Sequence, residues 1–129
     1  MSALVLDASV ILASILGETG GDGVFERIED AAVSAVNVAE VYTYAAVNGL
    51  PTAAIDAFFG DTGIEIVDHT FEQAVATGKL AAITRRAGLS LEDRACLAVA
   101  RQRQAVVLTA DRAWMVFAEE LGLKIELLR

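Results

Sequence analysis

Several common ingredients are scarce in this 129-residue sequence, and each scarcity excludes something. One cysteine, Cys96, permits no internal disulfide, which fits a reducing compartment. One histidine, His69, gives that thiol no partner cluster for zinc or another soft metal. One proline and no low-complexity stretch leave no sign of a flexible linker or a disordered region. Basic residues are outnumbered, 10 Lys and Arg against 18 Asp and Glu, for a net charge of −8. That balance lacks the clustered positive charge from which generic nucleic-acid binders draw their affinity. Long hydrophobic runs are also missing. The stretch from Ala3 to Leu16 is interrupted by Asp7 and has no basic residue before it, the first being Arg27. It is also shorter than the roughly twenty apolar residues of a membrane helix. The expectation is a cytoplasmic protein with no membrane segment.

What is present is aliphatic. Hydrophobic residues make up 55% of the chain and aromatic ones only 6%, so Ala, Val, Leu and Ile fill the interior. Such composition suits helices packed on a buried parallel sheet, and the length allows one core, so residues 1–129 read as a single domain. The pattern predicts strands at Ala3–Leu6, Ala32–Val36, Gly63–Val67, Ala105–Leu108 and Lys124–Leu128. Between them it predicts helices over Val10–Leu16, Val24–Asp30 and Asn37–Asn48. A further helix has Pro51 in its first turn, and three more span Thr70–Ala87, Ser90–Arg103 and Asp111–Leu121. Short apolar strands alternating with helices indicate an α/β domain.

In a parallel sheet every strand's carboxyl end reaches one edge, where ligands bind. Asp7 directly follows the first strand, Glu40 lies in the first turn after the second, and Asp111 follows the fourth. Asp93 lies in the first turn of the helix that feeds the fourth strand. Each acid also has a purely structural reading. Asn37-Val-Ala-Glu40 and Ser90-Leu-Glu-Asp93 both match a capping pattern, and Asp7 or Asp111 could cap the helix that follows it. Capping alone does not require an acid after both Leu4-Val5-Leu6 and Val106-Val107-Leu108. Asp68 follows a strand too, yet nothing around it resembles a site. Four carboxylates in one place would repel unless a divalent cation lay among them, and all-oxygen ligands favour Mg²⁺ or Mn²⁺.

The same positions carry a family pattern. Leu4-Val-Leu-Asp7-Ala-Ser9 resembles the opening of PIN domains, and Asn37-Val-Ala-Glu40-Val is similar to their Glu-bearing helix. Leu89-Ser-Leu-Glu-Asp93-Arg-Ala-Cys-Leu-Ala98 and Leu108-Thr109-Ala-Asp111-Arg-Ala-Trp114 are similar to the third and fourth acidic segments, in the right order. Glu92 departs from the pattern, where relatives often have Gly; one residue turns a helix about 100°, so Glu92 is expected to face away from Asp93. The resemblance is to short, single-domain members, mostly VapC-like toxins of type II toxin–antitoxin pairs. It implies a three-layer fold with a five-stranded parallel sheet ordered 3-2-1-4-5 and flanked by helices, the site lying at its switch point. It implies cleavage of RNA by metal-activated water, leaving a 5′-phosphate and a 3′-hydroxyl. Asp7, Asp93 and Asp111 would hold Mg²⁺ or Mn²⁺, and Glu40 would position or deprotonate the attacking water. Ser9 and Thr109 would orient carboxylates, although local turn hydroxyls would look the same. A homodimer silenced by a cognate antitoxin protein is also implied, and the aliphatic helices between Val10 and Phe59 could offer a partner helix a groove.

Other residues read as structural: Arg94 and Arg112 as solvent-facing ion pairs or backbone contacts to RNA, His69 as surface, Cys96 and Trp114 as packing. Two rival α/β sites fit poorly. A receiver needs paired acids after its first strand, and a haloacid-dehalogenase-like site needs Asp-x-Asp where this chain has Asp7-Ala-Ser9. A non-catalytic or housekeeping protein of the same fold, binding RNA or a protein partner, stays open as an alternative.

Overall fold

A computed structural model describes residues 3–129. Five short strands form one sheet: β1 (Leu4–Leu6), β2 (Ala31–Ser34), β3 (Glu65–Val67), β4 (Val106–Thr109) and β5 (Ile125–Leu127). All pairs are parallel, as the sequence pattern predicts, and the order is β3-β2-β1-β4-β5, as the resemblance implies. Side chains alternate across a strand, and in β1 they serve two cores. Leu4 and Leu6 pack with Val10, Ile11, Val41 and Phe58 on one face, while Val5 packs with Cys96, Leu97 and Trp114 on the other. Helices therefore cover both faces, giving three layers. Among the described residues no helix is long and apolar enough to cross a membrane.

The first layer holds α1 (Ala8–Leu16), α2 (Ala35–Val47) and α3 (Ala53–Asp61). Gly17 ends α1 in the left-handed conformation, at φ 70°. A 3-10 segment, Gly21–Asp30, replaces the α-helix expected over Val24–Asp30. Its start is pinned to α1 so closely that a Cβ on Gly21 would lie 2.3 Å from the Ala13 carbonyl oxygen. β2 stops at Ser34 rather than at Val36, because the Ser34 hydroxyl accepts the Val36 N–H and starts α2. Pro51 lies outside α3, before its N-cap Thr52.

The second layer holds α4 (Phe71–Lys79), α5 (Ala81–Thr84), α6 (Leu91–Arg103) and α7 (Ala118–Leu121). The single helix expected over Thr70–Ala87 breaks into α4, α5 and a 3-10 turn at Arg85–Ala87. The break turns Leu80 into the second core, and the Thr84 hydroxyl donates to the Leu80 carbonyl at 2.9 Å. The helix expected over Asp111–Leu121 opens instead as a 3-10 segment, Arg112–Phe117. Three residues per turn place Trp114 and Phe117 on the same side, and both are fully buried.

Candidate active site

The site lies at the switch point of the sheet, where the strand order reverses between β1 and β4. β1 pairs with β2 on one side and β4 on the other, and the Asp7 N–H donates to the Leu108 carbonyl at 3.0 Å. Asp7 is thereby fixed at the carboxyl end of β1 beside the end of β4, the position at which open α/β sheets bind ligands. It occupies the N-cap position of α1 but makes no side-chain cap bond. Its carboxylate turns instead to two hydroxyls: Ser9 donates to Oδ2 at 2.7 Å and Thr109 to the same oxygen at 2.9 Å. The side chain is only 4% exposed. Burial pushes its carboxyl up from the usual range, the two hydroxyl bonds oppose that, and the charge of Asp93 adds to it.

Glu40 is no cap either, since Ser34 caps α2 and Asn37 sits inside the helix. Glu40 accepts a bond from Asn37 Nδ2 at 3.2 Å. Burial pushes its carboxyl up to about 7; the Asn37 bond holds it down, and the charges of Asp7, Asp93 and Glu92 raise it. The other two acids do cap. Asp93 completes a capping box, accepting from the Ser90 N–H at 3.0 Å while the Ser90 hydroxyl accepts from the Asp93 N–H at 3.1 Å. Its carboxyl is nevertheless raised, by burial first and then by Asp111 and Glu92, against the two Ser90 bonds. Asp111 caps the 3-10 segment by accepting the Ala113 N–H at 2.9 Å. The Asp111 N–H in turn donates to the Thr109 hydroxyl at 3.1 Å, so Thr109 links Asp7 to Asp111.

The fold thus brings Asp7, Glu40 and Asp93 within electrostatic reach, with Asp111 acting on Asp93, and no salt bridge among the described residues neutralises any of the four. The cluster is not a closed cage: among the described residues no three His, Cys, Asp or Glu side chains stand close enough to hold an ion together. Two of the four are turned to the amides they cap. The donor set still fits a hard divalent cation. It is all oxygen, its negative charge is uncompensated, and Asp7 is held in place by hydroxyls. Mg²⁺ keeps several waters, so it can be bound partly through them.

Sequence reasoning missed two features. Asn37, expected as a cap, is fully buried and bridges Glu40 to the Glu92 carbonyl on α6 at 3.0 Å. Glu92, expected to face away, is half-buried, and its charge acts on both Glu40 and Asp93. Arg94 is half-buried with Nε lacking a partner, Arg112 is exposed, and among the described residues neither forms a salt bridge. Cys96 is fully buried and its thiol is pushed well up by burial, with Asp7, Asp93 and Glu40 adding to the effect, so it packs rather than reacts. Trp114 packs in the second core, and His69 is exposed in the loop before α4.

Comparison with protein-family models matches residues 4–120 to the PIN domain. The chain belongs to the PIN domain family. Solved structures with the same fold include the DNA-bound VapBC complex of Salmonella typhimurium (21% identity, all of both chains covered, TM-score 0.76). A second is VapBC2 of Rickettsia felis bound to a fragment of promoter DNA (18% identity, 96% of this chain and 97% of that one, TM-score 0.70). A third is the sarcin–ricin-loop-cleaving toxin VapC20 of Mycobacterium tuberculosis (16% identity, 81% and 86%, TM-score 0.66). No curated protein sequence matches significantly.

Proposed function

We propose that this PIN domain is a metal-dependent endoribonuclease and the toxin of a type II toxin–antitoxin pair. The observation that carries the nuclease reading is the uncompensated meeting of carboxylates at the switch point of the sheet: Asp7 is raised partly by the charge of Asp93, Glu40 by Asp7 and Asp93, and Asp93 by Asp111 and Glu92. Carboxylates gathered without a cationic side chain are suited to a divalent ion. Asp7, Asp93 and Asp111 are the residues that would hold Mg²⁺ or Mn²⁺, directly or through water. When bound, the ion polarises a phosphoryl oxygen and lowers the pKa of a water.

The chain's own residues do the rest. Ser9 and Thr109 orient the Asp7 carboxylate by donating to one of its oxygens. Glu40, pushed up to about 7, is poised near neutral pH to take the proton of an attacking water, as a general base should be. A single RNA strand reaching the site would expose its phosphodiester to in-line attack.

The toxin reading rests on the likeness, over nearly the whole of both chains, to toxin–antitoxin structures. It carries with it a homodimer, a cytoplasmic location and a small antitoxin partner. An apolar groove lined by Leu12, Ile15, Leu16, Tyr44, Leu50 and Ile55 between α1, α2 and α3 suits an amphipathic partner helix. An Arg or Lys from the partner would satisfy the carboxylates. The deciding experiment incubates purified protein with total cellular RNA and Mg²⁺ or Mn²⁺ and maps the ends. Metal-dependent cuts bearing 5′-phosphates, lost in Asp7→Asn, support the reading. Intact RNA under these conditions leaves a non-catalytic or housekeeping member of the fold.

A further inference from the structure

Asn37 is an odd residue to find where it sits. It lies in the first turns of α2, is fully buried, and spends both amide hydrogens on two different elements. One goes to Glu40 Oε1 on its own helix at 3.2 Å, the other to the Glu92 carbonyl in the first turn of α6 at 3.0 Å. The apolar faces of these two helices belong to opposite layers: Val41 and Ala45 of α2 pack in the first core, Cys96 to Ala100 of α6 in the second. The link therefore ties the layers together at the site. Its side-chain oxygen, Oδ1, is buried with no partner among the described residues. Leaving a buried polar atom unsatisfied costs stability, and a plain apolar residue would carry no such cost. A helix-start signal cannot explain Asn37, because Ser34 already caps α2.

We propose that Asn37 is the positioning residue for Glu40, fixing its carboxylate against the first turn of α6 and so setting its place relative to Asp93. The inference rests on the nuclease reading for its catalytic consequence, and on the hydrogen bonds alone for its structural one. Glu40 is a long side chain with free torsions. A donor from a side chain itself locked to a second helix restricts those torsions far more than a bond to solvent would. Removing the donor leaves Glu40 in the site but free to sample unproductive positions, so turnover falls while substrate affinity holds.

The test uses Asn37→Val and Asn37→Thr, which share a shape and differ in one hydroxyl donor. In RNA cleavage with Mn²⁺, Asn37→Val should lose roughly 10- to 100-fold in kcat with KM near wild type, the usual range for a group that orients a site residue. Asn37→Thr should recover most of the loss. Combined with Glu40→Gln, Asn37→Val should cost little more, because a residue acting through Glu40 has nothing left to position. Independent of activity, the Glu40 carboxyl carbon is titrated by NMR in metal-free protein. The charged groups facing it, Asp7, Asp93 and Glu92, are unchanged, so the lost donor should move its midpoint upward in Asn37→Val and less in Asn37→Thr. An unmoved midpoint, or losses that multiply in the double variant, overturns the proposal. If wild type cleaves nothing, the nuclease reading fails while the titration still decides the role of Asn37. If neither β-branched variant folds, Asn37→Ala takes the same measurements.

Discussion

Thr109 at the end of β4 donates its hydroxyl to Asp7 at the end of β1, 102 residues away in sequence, and accepts the backbone N–H of Asp111 with the same oxygen. One buried hydroxyl thus sets both the direction of one site acid and the turn that presents another. Threonine and valine have the same shape, so Thr109→Val keeps the packing of β4 and removes only these bonds. We expect metal-dependent cleavage to fall roughly 10- to 100-fold in Thr109→Val and to stay near wild type in Thr109→Ser. Equal activity in all three would remove Thr109 from the site.

The acid cluster makes a stability prediction with a definite sign. Asp7, Glu40 and Asp93 each hold a proton more tightly in the folded chain than they do unfolded. Their contribution to stability is therefore fully present below the ordinary carboxylate range, and it is lost as pH rises through the folded values, about 7 for Glu40. Metal-free protein should lose melting temperature between about pH 5 and about pH 8, and Glu40→Gln should flatten that slope. An identical slope in Glu40→Gln would mean that Glu40 titrates normally.

A cation should reverse the trend. An ion that binds only the folded chain stabilises it by mass action, about 2.7 kcal/mol at a hundredfold excess over Kd, or several degrees for a domain of this size. The shift should be larger at high pH, where the carboxylates need no deprotonation, and should disappear in Asp7→Asn combined with Asp111→Asn. Thermal melts across a Mn²⁺ series at two pH values check both statements. A flat response in wild type would count against the site.

How much of this was readable in advance follows from which interactions are local. The sheet order, Asp7 and Asp111 were legible because an acid after a short apolar run marks a strand's carboxyl end, and the resemblance supplied the order. Boundaries failed where one side chain decided them. Ser34 reads as a strand residue until its hydroxyl is seen to take the Val36 amide, and Leu80 breaks a periodic helix only because a core lies beneath it. Asn37 was hidden because its partner is the Glu92 carbonyl, 55 residues on. A backbone acceptor on a distant helix leaves no trace in local spacing.

The pair Glu92 and Asp93 can be separated by experiment. Asn at position 93 can still accept the Ser90 amide, so Asp93→Asn should fold with the α6 cap largely kept while losing its charge. We expect it to abolish cleavage. Glu92→Gln should retain most activity and lower the midpoint of Glu40, by removing one of the charges that raise it. Comparable losses in both variants would show that Glu92 shares the ligand role.

The toxin assignment makes the strongest demand on the cell. Leu16, Tyr44 and Leu50 are exposed around the groove between α1, α2 and α3, where apolar side chains gain nothing in water unless a partner covers them. Expression of the chain alone should arrest growth, and Asp7→Asn should not. Co-expression with the adjacent reading frame should relieve the arrest and yield a complex that co-purifies. If the groove holds a helix of that partner, Leu50→Lys should weaken the complex by about 2 kcal/mol or more, roughly 30-fold, the scale of a buried anchor. Because Leu50 takes part in none of the side-chain hydrogen bonds of Asp7, Glu40, Asp93 or Asp111, cleavage by the free protein should be unaffected. Vigorous growth under strong expression of folded, metal-binding protein would sink the toxin role and leave the nuclease chemistry to be judged by RNA cleavage alone.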